Sequence, residues 1–355
     1  MKQTSLKILI TAHDAGGAEL LSSMAAAELD NHHWQVIARN DSPAKSIFIG
    51  KGMPRLIAQP EQNTASVFEL FKPDFLFCGT SSDKFELPYI KEVRKRAVCS
   101  ISFLDHWVNY RERFDYPNTG WENNLPDFTA VSDNYAFNMA DSYKVFNLLK
   151  VKNYYIEKLL AQYDDMTAAP GNSKILLFVS EAIEEHRAGL KRDDPLQLGY
   201  TQTEVIEDVL NSFSQISGKL GADRIIIRLH PAEALGKYDY LQKRFSNIIT
   251  AVEHPNERSL NESIRNARSV IGINSMALMI AHLLGKPVIS YIPVDHACVL
   301  PLPPECCIHS LTDLKEIESI PCWNYHGRLS FYDEHDLSKM FNTLRETKNE
   351  SCRNH

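Results

Sequence analysis

The sequence predicts an α/β protein with two doubly wound parallel sheets, one after the other along the chain. Three observations lead to this prediction. Short apolar runs typical of buried strands alternate with amphipathic runs typical of helices. This alternation stops in a small polar connector at residues 168–173 and starts again at Lys174. The length of 355 residues is long for one hydrophobic core and sufficient for two.

The first predicted domain covers residues 1–167 and begins with a buried strand at Lys7–Ala12. A helix follows at Ala18–Leu29, because three leucines and Met24 lie on one side of it at helical spacing. The other predicted elements are strands at Trp34–Ala38, Asp74–Cys78, Val98–Leu104 and Phe128–Val131, and a helix at Glu86–Arg96.

The second predicted domain covers residues 174–332. Its longest helix, Thr203–Leu220, is amphipathic, and an apolar helix at Met276–Leu284 is closed by Gly285. The other predicted elements are strands at Lys174–Ser180, Arg224–Leu229, Ser269–Ile273 and Pro287–Tyr291, and a helix at Leu260–Ala267. Residues 333–355 form a terminal helix and tail that we expect to cross back to the first domain. Ligands of doubly wound folds bind at the carboxyl ends of the strands, so we expect the two sheets to face a central cleft.

The composition is that of an ordinary globular protein, with 44% hydrophobic and 23% charged residues. The net charge of −7 and the lack of a basic stripe argue against nucleic acid as a partner. No apolar stretch reaches the length that a membrane span needs, and no signal-peptide core precedes the first strand. The seven cysteines show no CxxC spacing. We therefore expect a cytoplasmic protein, whose oligomeric state the sequence does not fix.

The first candidate site follows the first predicted strand and opens the first helix. His13 and Asp14 can act there as base and orienting group. Gly16 and Gly17 allow the backbone to approach a ligand closely, and the helix start favours an anion or a polar sugar. The alternative is a tight strand-to-helix turn in which Asp14 caps the helix.

The second candidate site follows the long strand that ends at Leu104. Asp105 and His106 are competing candidates for the catalytic base. Trp107 and Tyr110 suit a sugar ring, which has apolar faces and hydroxyl edges. The alternative is an interface loop that packs Trp107 against the second domain.

Two further groups of candidate residues lie in the second domain. Arg228 and His230 end a strand and can hold a phosphate, and Pro231 fixes the exit of the chain. Asn274 and Ser275 precede a helix, and the serine can cap that helix and also donate its hydroxyl to a phosphate.

Glu181 follows the first strand of the second domain. It is placed to accept ribose hydroxyls, as acids at such edges often do. Alternatively, it belongs to a solvated acidic run that extends from Glu181 to His186.

The second-domain pattern resembles a known group of enzymes. A strand ending in Arg-Leu-His-Pro, then a strand, Asn-Ser, an apolar helix and Gly-Lys-Pro-Val-Ile, resembles GT-B glycosyltransferases, in particular bacterial sialyltransferases and related CMP-sugar transferases. The resemblance implies two Rossmann-like domains. It also implies Asp14 beside Gly16 as general base, His230-Pro231 as the contact to the nucleotide phosphate, and Ser275 as its support. Ala15 departs from the pattern, because the family usually has a second acid there.

The resemblance implies an inverting transfer of a sugar from a nucleotide sugar to a hydroxyl acceptor in bacterial glycan biosynthesis, with a nonulosonic-acid-like sugar on a CMP donor favoured. The sequence shows no DxD-type acidic pair at a strand end, so we expect neither a metal nor another cofactor. The second-domain unit also resembles glycerophosphotransferases and UDP-GlcNAc 2-epimerases. A UDP-sugar epimerase or hydrolase and a non-catalytic nucleotide-sugar binder therefore remain alternatives.

Overall fold

The structure, a computed structural model, describes residues 5–53, 56–59, 63–96, 98–165, 173–188, 198–294, 298–317 and 329–344. The chain divides into two compact units. Unit 1 comprises Met1–Lys158 and Leu329–His355, and unit 2 comprises Leu159–Arg328. Residues 168–172 of the predicted connector lie outside the described residues.

Unit 1 contains a parallel sheet of seven strands in the order β3-β2-β1-β4-β5-β6-β7. The strands are β1 (Lys7–Thr11), β2 (His33–Arg39), β3 (Leu56–Gln59), β4 (Phe75–Cys78), β5 (Cys99–Phe103), β6 (Phe128–Val131) and β7 (Leu148–Lys150). The helices are α1 (Ala15–Ala27), α2 (Pro43–Gly50), α3 (Thr64–Phe71), α4 (Leu87–Val93), α5 (Asn134–Ser142) and α6 (Tyr154–Asp165). The division between the units falls within α6.

Both faces of the unit 1 sheet are buried, as the continuous apolar runs of parallel strands require. Along β1, Ile8 and Ile10 belong to one hydrophobic cluster, whereas Leu9 belongs to the cluster on the other side. This alternation follows from the two-residue period of a strand. Residues 337–344 are helical, and Phe341 stacks on Phe77 in the first cluster. The chain therefore returns to unit 1 at this helix.

Unit 2 contains a parallel sheet of six strands in the order β10-β9-β8-β11-β12-β13. The strands are β8 (Ile175–Val179), β9 (Arg224–Arg228), β10 (Ile249–Glu253), β11 (Ser269–Gly272), β12 (Val288–Tyr291) and β13 (Cys307–Ile308). The helices are α7 (Ile183–His186), α8 (Gln202–Leu220), α9 (Asp239–Arg244), α10 (Leu260–Asn266), α11 (Met276–Leu283) and α12 (Leu311–Glu316).

Helix α8 shows how local sequence sets an element of unit 2. Thr201 and Glu204 form a capping box at its start, in which each side chain accepts the backbone N–H of the other residue. The helix ends at Gly221, which has a φ of 62° that a side chain would strain. Between these ends, Val205 and Phe213 lie on the buried side of the helix.

The predicted fold of two doubly wound parallel sheets is confirmed. Each sheet has a switch point, at which the strand order reverses and ligands of such folds bind. In unit 1 it lies between the loops that follow β1 and β4, and in unit 2 between the loops that follow β8 and β11.

Candidate functional site

The side chain of Asp14 links the two loops that meet at the switch point of unit 1. Its carboxylate Oδ2 accepts the backbone N–H of Ser82 at 3.0 Å, and its Oδ1 lies 2.9 Å from Nδ1 of His13. Asp14 occupies the N-cap position of α1, but its side chain makes no capping hydrogen bond. Asp14 therefore has the position of a helix cap, as the alternative interpretation expected, but its carboxylate bonds to other groups. With 41% of its side chain exposed, this carboxylate is both held in place and accessible.

His13 lies between two carboxylates. Its Nδ1 faces Asp14, and its Nε2 lies 3.3 Å from Oδ2 of Asp83. Asp83 is also held by Arg39 at 2.8 Å. Because both ring nitrogens have partners, His13 is oriented by the loop and in turn orients Asp14.

Glu86 underlies this cluster and was not found from the sequence. It accepts the backbone N–H of His13 at 3.2 Å, and the N–H and hydroxyl of Ser81 at 3.1 Å and 2.5 Å. Burial raises the pKa of Glu86 to about 7, although the hydrogen bonds from Ser81 oppose this shift. Glu86 thus joins the loop after β1 to the loop after β4. The sequence signal that could have pointed to Glu86 was its position directly before helix α4.

The two glycines of the first loop are explained by protein contacts. A Cβ on Gly16 would lie 1.9 Å from Oδ2 of Asp105, and a Cβ on Gly17 would lie 3.1 Å from the α-carbon of Gly79. The structure therefore places protein atoms against both positions that the sequence assigned to ligand approach. The Asp105 carboxylate itself lies against the first turn of α1, where the helix dipole favours an anion.

Asp105 is engaged by Arg113. Their side chains form an ion pair of 2.7 Å, and both are mostly buried. Arg113 also donates to the carbonyl of Thr80 at 2.9 Å and to that of Val108 at 3.1 Å. The pair fastens the loop after β5 to the loop after β4. Asp105 is therefore held by an arginine, whereas no arginine or lysine among the described residues pairs with Asp14.

The aromatic residues of the second loop are buried. The indole N–H of Trp107 donates to Asp133 at 3.1 Å, and only 6% of Trp107 is exposed. Burial raises the pKa of Asp133 to about 6. Tyr110 is fully buried, its hydroxyl has no hydrogen-bond partner among the described residues, and burial raises its pKa. His106 is half-buried, and its ring Nδ1 accepts the backbone N–H of Trp107 at 2.9 Å.

The switch point of unit 2 is also crossed by a carboxylate. Glu181 Oε1 accepts the backbone N–H of Asn274 at 2.5 Å, directly before the start of α11. Burial raises the pKa of Glu181 to about 7, and the backbone N–H groups of Asn274 and Ser275 oppose the shift. Ser275 caps α11 by accepting the N–H of Ala277 at 3.2 Å, which leaves its hydroxyl hydrogen available as a donor. The structure therefore brings Glu181, Asn274 and Ser275 together.

His230-Pro231-Ala232-Glu233 forms a turn at the end of β9, here named the His230 turn. The His230 carbonyl accepts the Glu233 N–H at 2.9 Å, with Pro231 at the position that favours proline in such turns. The Glu233 carboxylate accepts the His230 N–H at 2.7 Å. The ring Nδ1 of His230 accepts the Ala232 N–H at 3.1 Å, so a neutral ring carries its proton on Nε2.

Glu233 is the second buried acid that sequence reasoning missed. Its side chain is fully buried, and its carboxylate connects the His230 turn to the rest of unit 2. Its other partners are Ser180, Tyr238, Lys237 and Gln202.

Arg228 is directed away from these groups. Its guanidinium donates to the hydroxyl of Ser263 on α10 at 2.9 Å and lies 3.8 Å from Glu253. Burial lowers the pKa of Arg228. Only 8% of this arginine is exposed, so the structure uses it to connect β9, β10 and α10.

A second turn of the same kind was also missed. His254-Pro255-Asn256-Glu257, the His254 turn, follows β10, the neighbour of β9. Glu257 accepts the His254 N–H at 3.1 Å, and the ring Nδ1 of His254 accepts the Asn256 N–H at 3.2 Å. The sequence signal was the repeated pattern His-Pro-x-Glu.

Within the described ranges, no group of three or more His, Cys, Asp or Glu residues is arranged to hold a metal ion. Within the same ranges, no helix has the length and apolar character that crossing a membrane requires.

Comparison with known proteins gives similarity of structure alone. No protein-family model and no curated protein matches the sequence. Among solved structures, a UDP co-structure of MnaA from S. aureus is similar with a TM-score of 0.61 at 11% identity, over 88% of this chain and 86% of that one. UDP-GlcNAc 2-epimerase from Neisseria meningitidis, bound to UDP-GlcNAc, has a TM-score of 0.58 at 11% identity, over 97% of this chain and 100% of that one.

HepE from Anabaena in complex with UDP has a TM-score of 0.56 at 11% identity, over 88% of this chain and 89% of that one. These likenesses extend over 88% or more of this chain and therefore cover both units. The chain therefore has the GT-B fold of two Rossmann-like units.

Proposed function

We propose that this protein is a nucleotide-sugar-dependent glycosyltransferase in which Asp14 is the general base. The observation that carries the proposal is the state of the Asp14 carboxylate. It lies at a switch point, makes no capping hydrogen bond, is held by Ser82 and His13, and remains 41% exposed. Asp105, its competitor, is engaged by Arg113 and is mostly buried.

The donor phosphate is assigned to the carboxyl edge of the unit 2 sheet. His230 offers an N–H on Nε2, because its Nδ1 accepts a backbone N–H. Ser275 offers its hydroxyl hydrogen, and the backbone N–H groups at the start of α11 add further donors. Glu181 already binds the Asn274 N–H, so this site accepts an anion, and the carboxylate must move or take up a proton when phosphate arrives.

The reaction then has three steps that these residues serve. Asp14 takes the proton of the acceptor hydroxyl, and the hydroxyl oxygen forms a bond with the anomeric carbon of the sugar. The bond from that carbon to the phosphate oxygen breaks, and the electron pair leaves with the nucleotide. His230 and Ser275 stabilise the negative charge that grows on the phosphate. Attack from the side opposite the phosphate inverts the anomeric configuration.

For the donor we propose a UDP-sugar first and a CMP-sugar second. Two of the similar structures are described as UDP complexes, and a third as a complex with UDP-GlcNAc. The His230-Pro231 and Ser275 pattern, by contrast, resembles CMP-sugar transferases. We propose that no metal or other cofactor takes part, because the phosphate contacts are supplied by neutral N–H and O–H donors.

The testing experiment combines binding and turnover. UDP-, CMP-, GDP- and CDP-sugars are compared for the rise in melting temperature that they cause, since a ligand at ~100 times its Kd adds ~2.7 kcal/mol of stability. The donor that binds is then incubated with hydroxyl acceptors, and release of the nucleotide is measured. Binding of none of these donors would overturn the proposal.

The second candidate is a UDP-sugar 2-epimerase or hydrolase. It is supported by the similarity to the Neisseria meningitidis enzyme, which extends over 97% of this chain. An epimerase or hydrolase converts the donor without an acceptor, whereas a transferase is nearly inert without one. Conversion of the bound donor alone, at a rate that acceptors do not raise, would favour this candidate. Binding without any turnover would instead indicate a non-catalytic nucleotide-sugar binder.

A further inference from the structure

The His230 turn and the His254 turn are a natural pair for comparison. In both, the histidine N–H is accepted by the glutamate three residues later, and the ring Nδ1 accepts the N–H of the residue two positions later. The local sequence pattern therefore produces the same turn twice. Any difference between the two histidines must come from what surrounds the turns.

The two glutamates differ in their surroundings. Glu257 is exposed, whereas the side chain of Glu233 is fully buried. On its Oε1 side, Glu233 accepts from the Ser180 hydroxyl at 2.9 Å and from the Tyr238 hydroxyl at 2.6 Å. Lys237 lies 3.2 Å from the same oxygen.

These contacts tie the His230 turn to three separate elements. Ser180 directly follows β8, Gln202 is the first residue of α8 and approaches Glu233 at 3.4 Å, and Tyr238 precedes α9. Ser180, Gln202 and Tyr238 are all buried. Oε2 of Glu233 is left for the His230 N–H at 2.7 Å. We therefore expect the backbone N–H of His230 to move less than that of His254, which is bonded to the exposed Glu257.

We propose that Glu233 is a positioning residue, which fixes the backbone of His230 so that its Nε2–H faces the donor phosphate. This inference rests on the proposed function, because it assigns His230 to phosphate binding. Glu233 acts only through His230. Glu257, which lacks the buried surroundings, has no such role.

The test measures the affinity for UDP, with CMP as a second probe, by calorimetry on the whole protein. Glu233→Gln keeps the shape of the side chain but replaces one acceptor oxygen with a donor. We expect it to weaken UDP binding about tenfold, in the range of measured couplings between contacting residues. In a His230→Ala background the same change should alter UDP affinity less than twofold, because the phosphate contact is already lost. Glu257→Gln is the matched control and should also change affinity less than twofold.

A second measurement does not depend on nucleotide binding. Nitrogen-15 NMR distinguishes a histidine with its proton on Nε2 from one that exchanges between tautomers, and His230→Ala assigns the signal. We expect a single Nε2–H form for His230 above neutral pH, and an averaged signal in Glu233→Gln. Glu233→Asp keeps the carboxylate and should retain more of the Nε2–H form than Glu233→Gln does. Tyr238→Phe removes one contact to Glu233 and should also retain more of this form; it replaces Glu233→Gln in the test if that variant does not fold.

The outcomes separate the two proposals. If neither UDP nor CMP binds the wild-type protein, the proposed function fails, and the NMR signal alone decides the positioning role. If UDP binds through His230 but Glu233→Gln weakens binding equally in both backgrounds, Glu233 does not act through His230 and the inference is overturned. An unchanged His230 signal in a folded Glu233→Gln protein would overturn it as well.

Discussion

Nucleotide binding should depend on pH through Glu181. In the structure its carboxylate accepts the Asn274 N–H at 2.5 Å, at the start of the helix that we propose as part of the phosphate site. The ionised carboxylate occupies this donor and repels a phosphate. Among the described residues, the titratable groups that act on or are affected by Glu181 are Glu233, which raises the pKa of Glu181 further, and Tyr200, whose own pKa lies well above neutral.

The magnitude follows from the pKa of Glu181, which burial raises to about 7. Because this pKa is raised in the folded protein, the carboxyl group is protonated below pH 7 and ionised above it. About nine tenths of the molecules carry the neutral form at pH 6 and about one tenth at pH 8. If only the neutral form admits phosphate, the apparent Kd increases by the inverse of this fraction. UDP-sugar binding should therefore be about tenfold weaker at pH 8 than at pH 6.

The assay is calorimetric titration of a UDP-sugar at pH 6, 7 and 8, since the diphosphate of a sugar nucleotide does not titrate in this range as a terminal phosphate would. Glu181→Gln removes the charge and should show a smaller change of Kd between pH 6 and pH 8 than the wild type. Glu207→Gln, which alters an acid on α8, should keep the wild-type slope. Equal pH dependence in wild type and Glu181→Gln would refute the reasoning, as would tighter wild-type binding at pH 8.

Four further outcomes are expected. Asp14→Asn should lower turnover ~10²–10⁴-fold with nucleotide affinity near that of wild type; a fully active variant would remove Asp14 as the base. Asp105→Asn, which breaks the ion pair to Arg113, should lower the melting temperature. The turnover of the folded variant should fall less than that of Asp14→Asn. Activity should survive EDTA, whereas loss that Mg²⁺ or Mn²⁺ restores would reveal a metal site. Glu86 has a pKa raised to about 7, so it contributes stability at acid pH that is lost as the pH rises through 7. Denaturant titrations at pH 6 and 8 should therefore show a smaller difference for Glu86→Gln than for wild type.

The sequence predicted the central strands because they are continuous apolar runs, as strands buried on both faces must be. The strands it missed are the edge strands of the two sheets: β3, β7, β10 and β13. Strand β13 has two residues, and β10 contains the exposed Thr250 and a register shift, so neither shows a clear period. The order of the strands depends on which helices cover which face, and no local pattern contains it.

The candidate sites were predictable in position but less so in the role of each side chain. His13 and Asp14 follow a strand that any hydrophobicity pattern finds, and the rule on carboxyl ends then places them at an edge. Arg228 has the same kind of position, yet its guanidinium binds Ser263 and approaches Glu253. Those partners lie on other elements, so the direction of the arginine is a property of the tertiary structure. Glu86 was missed for the same reason.

The two switch points share one arrangement that bears on how either could bind a ligand. In unit 1 Asp14 accepts the Ser82 N–H, and in unit 2 Glu181 accepts the Asn274 N–H. In each case a carboxylate after the first strand of the sheet reaches a backbone donor after the neighbouring strand across the reversal. The difference lies in burial, because Asp14 is 41% exposed whereas burial raises the pKa of Glu181 to about 7. An accessible carboxylate suits proton abstraction, and one that becomes neutral near pH 7 suits exchange with a phosphate. The same local geometry therefore supports the base in unit 1 and the anion site in unit 2.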